Sequence, residues 1–119
     1  MLEIKTNFPE NVLAIRASGQ VTKKDYKDIL LPAAKEAFEK NKELRVYYEI
    51  EEDSGFDLGA MWEDMSLGVN NWSKWDKVAL ITDKDWIKNA ASTFGFFMPC
   101  PVKTFKLTER EQAKIWISS

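Results

Sequence analysis

The sequence predicts a single α/β domain with a mixed, largely parallel sheet of about five strands. Segments with the period of a strand alternate with segments with the period of a helix, in the order ββαβαβαβα. Strands that alternate with helices are usually joined by right-handed crossovers and pair in parallel. The chain has 119 residues, of which 45% are hydrophobic and 30% charged, and neither a repeat nor a linker divides it. We therefore expect residues 1–119 to form one domain with its own core.

The first two strands are predicted close to the N-terminus. Leu2, Ile4 and Thr6 alternate with charged residues, and a second apolar run covers residues 12–17. The segment between them contains Pro9 and is typical of a turn. So short a connection predicts an antiparallel hairpin.

A helix is predicted to follow this hairpin. Thr22 suits its N-cap, and Asp25 stands three residues later, where the capping-box partner lies. Pro32 interrupts the apolar stripe of this helix. Because proline lacks a backbone donor, we expect the helix to kink or divide near Leu31. The helix is expected to end near Asn41.

The rest of the chain alternates three strands with three helices. The strands are predicted at residues 45–50, 78–82 and 102–105, and the helices at residues 58–71, from residue 85 to Gly95, and after Thr108. The continuous apolar run 78–82 is typical of a central strand that is buried on both faces. Thr108 followed by Glu111 predicts a capping box at the start of the final helix.

Composition excludes several classes of function. The 17 basic and 19 acidic side chains give a net charge of -2, so nucleic acid is not an expected partner. The chain has no histidine, which excludes a Ser-His-Asp triad, a Cys-His pair and a histidine zinc site. A single cysteine excludes an internal disulfide and suits a reducing cytoplasm. We see no signal peptide and no apolar run near the ~20 residues that span a bilayer.

Several stretches, in the expected order, resemble the SpoIIAA-like family, which is related to STAS domains. They are the run 19–26 with Leu30-Leu31-Pro32, Gly55-Phe56 with residues 58–64, residues 77–83 with Trp86, and residues 102–105 with Glu111, Ala113 and Trp116. The resemblance implies a mixed sheet covered by helices, in a small cytosolic bacterial protein. STAS domains act as binding modules, and the similar fold of CRAL-TRIO domains holds apolar ligands. Fold similarity alone does not choose between these roles.

Ser54 is a candidate phosphorylation site. STAS domains that act as antagonists of anti-sigma factors carry a phosphorylatable serine before the second helix. In this sequence Asp53-Ser54-Gly55 lies in the corresponding loop. A phosphate there would add negative charge near a helix N-terminus. The alternative is an ordinary turn, because these residue types are common in loops. The neighbouring acidic residues would repel a phosphate.

Large apolar residues in the second half are the candidates for a ligand pocket or an interface. Aromatic and methionine side chains line adaptable apolar sites, and the chain has five tryptophans. The aromatic and methionine residues of the predicted second helix are also typical of a hydrophobic core. Three consecutive large residues after Gly95 fit either a core edge or an exposed patch. The candidates are Met61, Trp62, Met65, Trp72, Phe96, Phe97 and Met98.

Two further features carry no site in this interpretation. Six acids lie within fourteen residues (Glu51, Glu52, Asp53, Asp57, Glu63 and Asp64), but their spacing matches no EF-hand loop, so no metal is predicted. Cys100 stands between two prolines without a histidine or a second cysteine, which favours a structural role.

Three functions follow from these observations. The first is a non-catalytic STAS-like interaction domain, with a protein partner or a second copy of itself. The second is a domain that binds a small apolar or lipid-like ligand. The third is a carboxylate-based or metal-dependent enzyme, which has the least support because no two acids pair convincingly. No catalytic residue and no cofactor are predicted.

Overall fold

The computed structural model describes residues 1–56, 75–85, 87–89 and 100–119. Seven strands are found in these ranges: β1 (Leu2–Ile4), β2 (Val12–Ala17), β3 (Gln20–Val21), β4 (Leu44–Ile50), β5 (Gly55–Phe56), β6 (Trp75–Ile81) and β7 (Val102–Phe105). Five of them form one sheet in the order β1-β2-β4-β6-β7. The predicted architecture, an α/β domain on a mixed sheet of about five strands, is confirmed.

Strand directions follow the prediction. β1 pairs with β2 in antiparallel fashion, as expected for a hairpin. The β2–β4, β4–β6 and β6–β7 pairs are all parallel. The strands β3 and β5 form a separate parallel ladder of two residues each, which the sequence did not predict. The carboxyl ends of β2, β4, β6 and β7 therefore meet at one edge of the sheet.

The first helical segment divides where proline predicts. It consists of α1 (Lys23–Asp25), a π-helical turn (Tyr26–Leu30) and α2 (Leu31–Lys40). Pro32 is the second residue of α2 and follows the π-helical turn almost directly, so the regular hydrogen bonding is interrupted close to the residue that lacks an N–H. The predicted capping box forms as well. The Thr22 N–H donates to the Asp25 carboxylate at 2.9 Å, and the Asp25 N–H donates to the Thr22 hydroxyl at 3.2 Å.

The start of the final helix corrects the prediction. A 3-10 turn at Leu107–Glu109 precedes α3 (Arg110–Ser118), so Thr108 lies inside that turn instead of capping a helix. The Glu109 carboxylate accepts the Lys106 N–H at 2.8 Å, and the Asp83 carboxylate accepts the Leu107 N–H at 3.1 Å. These two carboxylates bind backbone donors at the start of the 3-10 turn, whereas a cap at Thr108 would have bound donors in the first turn of the helix that follows.

The other two predicted helices lie largely outside the described residues. The helix predicted at 58–71 does so completely. Of the helix predicted from residue 85 to Gly95, residues 85 and 87–89 are helical. Among the described residues, no helix is long and apolar enough to cross a membrane.

Alternation along the strands gives the sheet two apolar faces. One face packs against α2 through residues that include Leu13, Ile15 and Leu44. The other face packs against α3. The buried residues of this second core, from the sheet, the 3-10 turn and α3, are Val12, Ala14, Tyr47, Ala79, Ile81, Phe105, Leu107, Ala113 and Ile117. In β6, Ala79 and Ile81 are buried but Val78 and Leu80 are half-buried, so burial on both faces is only partly realised. Arg16 and Glu49 lie two residues beyond Ala14 and Tyr47, which places them on the α3 face.

Candidate functional site

Charged residues gather on the α3 face at the carboxyl ends of β2 and β4. Arg16 is the penultimate residue of β2 and lies opposite Glu49, the penultimate residue of β4. Glu51 follows the end of β4, and Arg110 is the first residue of α3. Ligands of open α/β sheets bind outside the carboxyl ends of the strands. This edge is therefore the place to look for a site.

Glu49 is the centre of this group. The residue is 1% exposed, yet four donors surround its carboxylate. Oε1 accepts the Tyr47 hydroxyl at 2.8 Å and the Lys5 ammonium at 3.2 Å, and it lies 3.2 Å from Arg110 Nε. Oε2 lies 3.3 Å from Arg16 Nε. A buried carboxylate is tolerated when it is paired and hydrogen-bonded in this way.

Glu51 extends the group towards solvent. Its Oε1 accepts from Arg16 Nε at 3.1 Å and from Arg110 Nη2 at 2.8 Å. Arg16 Nη1 in turn donates to Glu3 at 3.1 Å. We call the whole set the Glu49 network, and its members are Glu3, Lys5, Arg16, Tyr47, Glu49, Glu51 and Arg110. Three carboxylates face three cations, so the network is electrically neutral.

The pKa values in the network favour fixed charges. Burial raises the pKa of Glu49, but its hydrogen bonds with Tyr47, with the Glu51 side chain and with Lys5, together with the positive charge of Lys5, outweigh burial and hold the pKa below the ordinary value. Burial, and then the Glu49 carboxylate, raise the pKa of the Tyr47 hydroxyl far above its ordinary value. The hydrogen bond to Glu51 raises the pKa of Arg16. At neutral pH these groups keep their protons or their charges, whereas general acid–base catalysis needs a pKa near the working pH.

Ser54 lies in the loop that follows Glu51 and is 4% exposed. Its N–H donates to the Glu51 carbonyl at 3.1 Å, while its Oγ is buried without a hydrogen-bond partner among the described residues. Two hydrogen bonds hold the loop on either side of Ser54. The Gly55 N–H donates to the Gly19 carbonyl at 2.9 Å, and Lys84 Nζ donates to the Glu52 carbonyl at 3.0 Å. A kinase reaches this hydroxyl only if the loop opens. Phosphorylation of Ser54 stays a prediction.

The apolar candidates lie outside the described residues. Met61, Trp62, Met65, Trp72, Phe96, Phe97 and Met98 all fall between residues 57 and 74 or between 90 and 99. Their role in a pocket or an interface stays a prediction. Of the six clustered acids, Glu51 belongs to the Glu49 network, Glu52 and Asp53 are exposed, and the other three lie outside the described residues. Within the part that is described, no three acidic or thiol side chains are placed to hold a metal ion.

Cys100 is half-buried in the segment that leads into β7. Burial, with a contribution from the negative charge of Asp76, raises the pKa of its thiol to about 11. A thiol with that pKa stays protonated at neutral pH and is a poor nucleophile. This agrees with the structural role that the sequence favoured.

Sequence reasoning missed the Glu49 network, although its signal was present. Arg16 and Glu49 each stand inside a strand whose other residues are mostly apolar. A charge in a buried strand needs a partner, and two such charges of opposite sign on neighbouring strands suggest each other. Arg110 gives no comparable signal, because charged residues are common in the first turn of a helix.

Comparisons with known proteins agree with this architecture. A crystal structure of an uncharacterized protein of the DUF3478 family with a SpoIIAA-like fold, from Shewanella loihica PV-4, superposes with a TM-score of 0.74. The two chains share 24% identity, over 98% of this chain and 92% of the other, so the likeness concerns the fold. Among curated proteins, none matches this sequence. The SpoIIAA-like family profile matches residues 12–118, and the chain therefore belongs to the SpoIIAA-like family.

Proposed function

We propose that this chain is a non-catalytic, STAS-like binding domain whose partner is another protein or a second copy of itself. The observation that carries the proposal is the neutral Glu49 network at the carboxyl ends of the strands. An enzyme with this fold needs free titratable groups or a metal at that edge. Here the charged groups neutralise one another, which supports a structural or binding role over a reactive site.

The perturbed pKa values support the same proposal. Catalytic groups are found where the surroundings shift a pKa towards neutrality. Glu49 and Tyr47 are shifted away from neutrality, and so is Cys100. A group shifted in this direction keeps one protonation state over the physiological range, so it does not take up or release protons as a catalytic acid or base does. We also infer a cytoplasmic location, where the lone cysteine stays reduced.

The alternative proposal is a domain that binds a small apolar or lipid-like ligand. It depends on the large apolar residues of the second half, above all Trp72 and Phe97. The same residues serve a protein interface equally well, since aromatic side chains are enriched in both kinds of site. Direct measurement of bound mass distinguishes the two proposals.

Native mass spectrometry of freshly purified protein, set against its denatured mass, is the first test. An interaction domain gives a monomer or a dimer without extra mass. Extra mass that is lost on denaturation would contradict our proposal and support the apolar ligand. The dimer, or a partner recovered from cells, should then weaken about tenfold or more in Trp72→Ser and Phe97→Ser.

Ile115→Ser is the matched control for these variants. Ile115 is 69% exposed on α3, so the same kind of substitution removes exposed apolar surface without touching the candidate residues. We expect the control to bind as the wild type does. Equal loss in all three variants would indicate a general effect of surface polarity and would count against an interface at Trp72 and Phe97.

Phosphorylation of Ser54 is a regulatory extension of this proposal. A phosphate on a serine that is buried in the unmodified chain forces the surrounding loop to rearrange. Ser54→Asp should therefore weaken binding to the partner, while Ser54→Ala should not. Unchanged binding by Ser54→Asp would remove the support for this switch.

A further inference from the structure

Two guanidinium groups converge on one carboxylate oxygen at the carboxyl ends of β2 and β4. Arg16 Nε lies 3.1 Å and Arg110 Nη2 lies 2.8 Å from Glu51 Oε1. We propose that Arg16 and Arg110 form a binding site for a phosphate or phosphate monoester dianion, which Glu51 occupies in the unliganded chain. Guanidinium groups present planar forks of donors that match the geometry of phosphate oxygens.

The two arginines are held independently of Glu51. Both also contact Glu49, Arg16 at 3.3 Å and Arg110 at 3.2 Å. The Glu49 side chain is 2% exposed and lies within β4, whereas the Glu51 side chain is 19% exposed and lies beyond the end of the strand. Glu51 can therefore withdraw while Glu49 keeps both guanidinium groups in position.

The site is open to solvent and positive when Glu51 leaves it. The side chains of Arg16 and Arg110 are 34% and 43% exposed. Arg110 is also the first residue of α3, a helix of nine residues whose N-terminus carries a partial positive charge. Without Glu51, the network has three cations and two carboxylates. A dianion carries twice the charge of the Glu51 carboxylate, so its Coulomb attraction to the two guanidinium groups is stronger.

The loop that carries Glu51 also contains a buried hydroxyl whose hydrogen bonding is incomplete. The Ser54 Oγ is buried and has no partner among the described residues. The Ser54 N–H donates to the Glu51 backbone carbonyl at 3.1 Å, so the two residues belong to one hydrogen-bonded turn.

Glu51→Gln tests the site, since it keeps the side-chain shape and removes the competing charge. Glu52→Gln is the matched control, because Glu52 is exposed and its contact with Lys84 is made by its backbone carbonyl. Inorganic phosphate is titrated against chloride at constant ionic strength, on protein whose mass shows no phosphoryl group. The side-chain Nε–H resonances of Arg16 and Arg110 report binding by NMR.

We expect phosphate to shift both resonances in Glu51→Gln. The dissociation constant should be about tenfold lower than in the wild type, which corresponds to about 1.4 kcal/mol. Glu52→Gln should behave as the wild type. Equal affinity in wild type and Glu51→Gln, an equal gain in Glu52→Gln, or binding that leaves the two arginine resonances in place would each overturn the proposal.

A second variant tests the fork geometry. Arg110→Lys, introduced into Glu51→Gln, keeps the charge and loses the planar donors. Phosphate affinity should fall back at least tenfold, and undiminished affinity would contradict an arginine site. Neither measurement involves a protein partner, so the outcome is independent of the proposed interaction function.

Discussion

The hydroxyl of Tyr47 donates a 2.8 Å hydrogen bond to the carboxylate of Glu49, two residues later on the same strand. Residues two apart on a strand share a face, so both side chains point towards α3. The bond pairs two polar groups that are each 1% exposed. The same carboxylate also contacts Lys5 beyond β1, Arg16 on β2 and Arg110 on α3, so it joins β4 to three other parts of the fold.

Glu49→Gln is expected to destabilise the fold by about 2 to 3 kcal/mol. Breaking a buried ion pair costs about 3 to 5 kcal/mol, because the partners keep uncompensated charges. For Glu49→Gln we expect a cost at or below the lower end of that range, because water screens the cationic partners. Their side chains are between 32% and 43% exposed. Urea unfolding at neutral pH measures the change as a shift in midpoint at constant slope.

Glu52→Gln removes the same charge from an exposed neighbour and should change stability by less than about 0.5 kcal/mol. A loss in Glu49→Gln no larger than in this control would show that the Glu49 network contributes nothing measurable.

The contribution of Glu49 should also depend on pH. Its pKa is lower in the folded chain than the ordinary value of 4.5, so its charged form stabilises the fold at pH values above the unfolded pKa. This stability is lost as the pH falls through the folded pKa. Glutamine does not titrate, so the difference in stability between wild type and Glu49→Gln should be largest at neutral pH and should narrow as the pH falls below about 4.5.

Urea unfolding of both proteins between neutral pH and pH 3 measures this narrowing. Acidic residues outside the Glu49 network titrate alike in both proteins and cancel in the difference. A difference that stays constant or widens in acid would mean that the pKa of Glu49 is not lowered by its surroundings.

A pair of Thr→Ala variants tests the helix caps. The Thr22 hydroxyl accepts the Asp25 N–H, so Thr22→Ala should cost about 1 kcal/mol. Thr108 is exposed inside a 3-10 turn, and Thr108→Ala should change stability by less than about 0.5 kcal/mol. Thermal and urea unfolding of both variants give the comparison. An equal cost at the two positions would restore the cap that the sequence predicted at Thr108.

Local patterns allowed much of the fold to be predicted. The β1–β2 hairpin, the cap at Thr22 and the break near Pro32 each depend on residues within one turn or one short connection. The prediction of where the last helix starts was wrong, because two residue pairs with the spacing of a capping box overlap there. They are Lys106 with Glu109 and Thr108 with Glu111. The Asp83 carboxylate, more than twenty residues earlier, binds the Leu107 N–H and favours the first pair.

Local patterns single out the charges of Arg16 and Glu49 inside apolar strands, but they do not show which residues these charges meet. The members of the Glu49 network come from β1 and its flank, β2, β4 and α3, so they meet only after the strands pair and α3 docks. The alternation along β2 and β4 indicated two buried faces. It could not show that Arg16 would lie opposite Glu49, because a shift of register by one residue would turn every side chain to the other face.

The Cys100 thiol should react slowly with alkylating reagents. Its pKa of about 11 is two units or more above that of a free cysteine, so the thiolate fraction at pH 8 falls about a hundredfold. Iodoacetamide labelling of folded protein, compared with urea-unfolded protein at the same pH, measures the ratio. Rates that differ less than tenfold would show a thiol more acidic and more accessible than the structure implies.

Gly19 and Gly55 should respond differently to alanine, because different physical terms act on them. Gly19 has a φ of +59° and open space where a Cβ would lie, so Gly19→Ala tests backbone strain alone and should cost about 1 to 2 kcal/mol. At Gly55 an added Cβ would lie 2.8 Å from the Gln20 side-chain oxygen. Gln20 is exposed and flexible, so we expect it to move aside at a cost below about 0.5 kcal/mol.

Urea unfolding of Gly19→Ala, Gly55→Ala and the double variant Gly55→Ala with Gln20→Ala separates the two terms. Removing the Gln20 side chain should abolish whatever cost Gly55→Ala shows, since the steric contact disappears. If Gly55→Ala still lowers stability when the Gln20 side chain is absent, the cause lies in the backbone of β5. The pairing of β5 with β3 would then depend on glycine itself. A cost at Gly19 no larger than at Gly55 would mean that the left-handed conformation relaxes in solution.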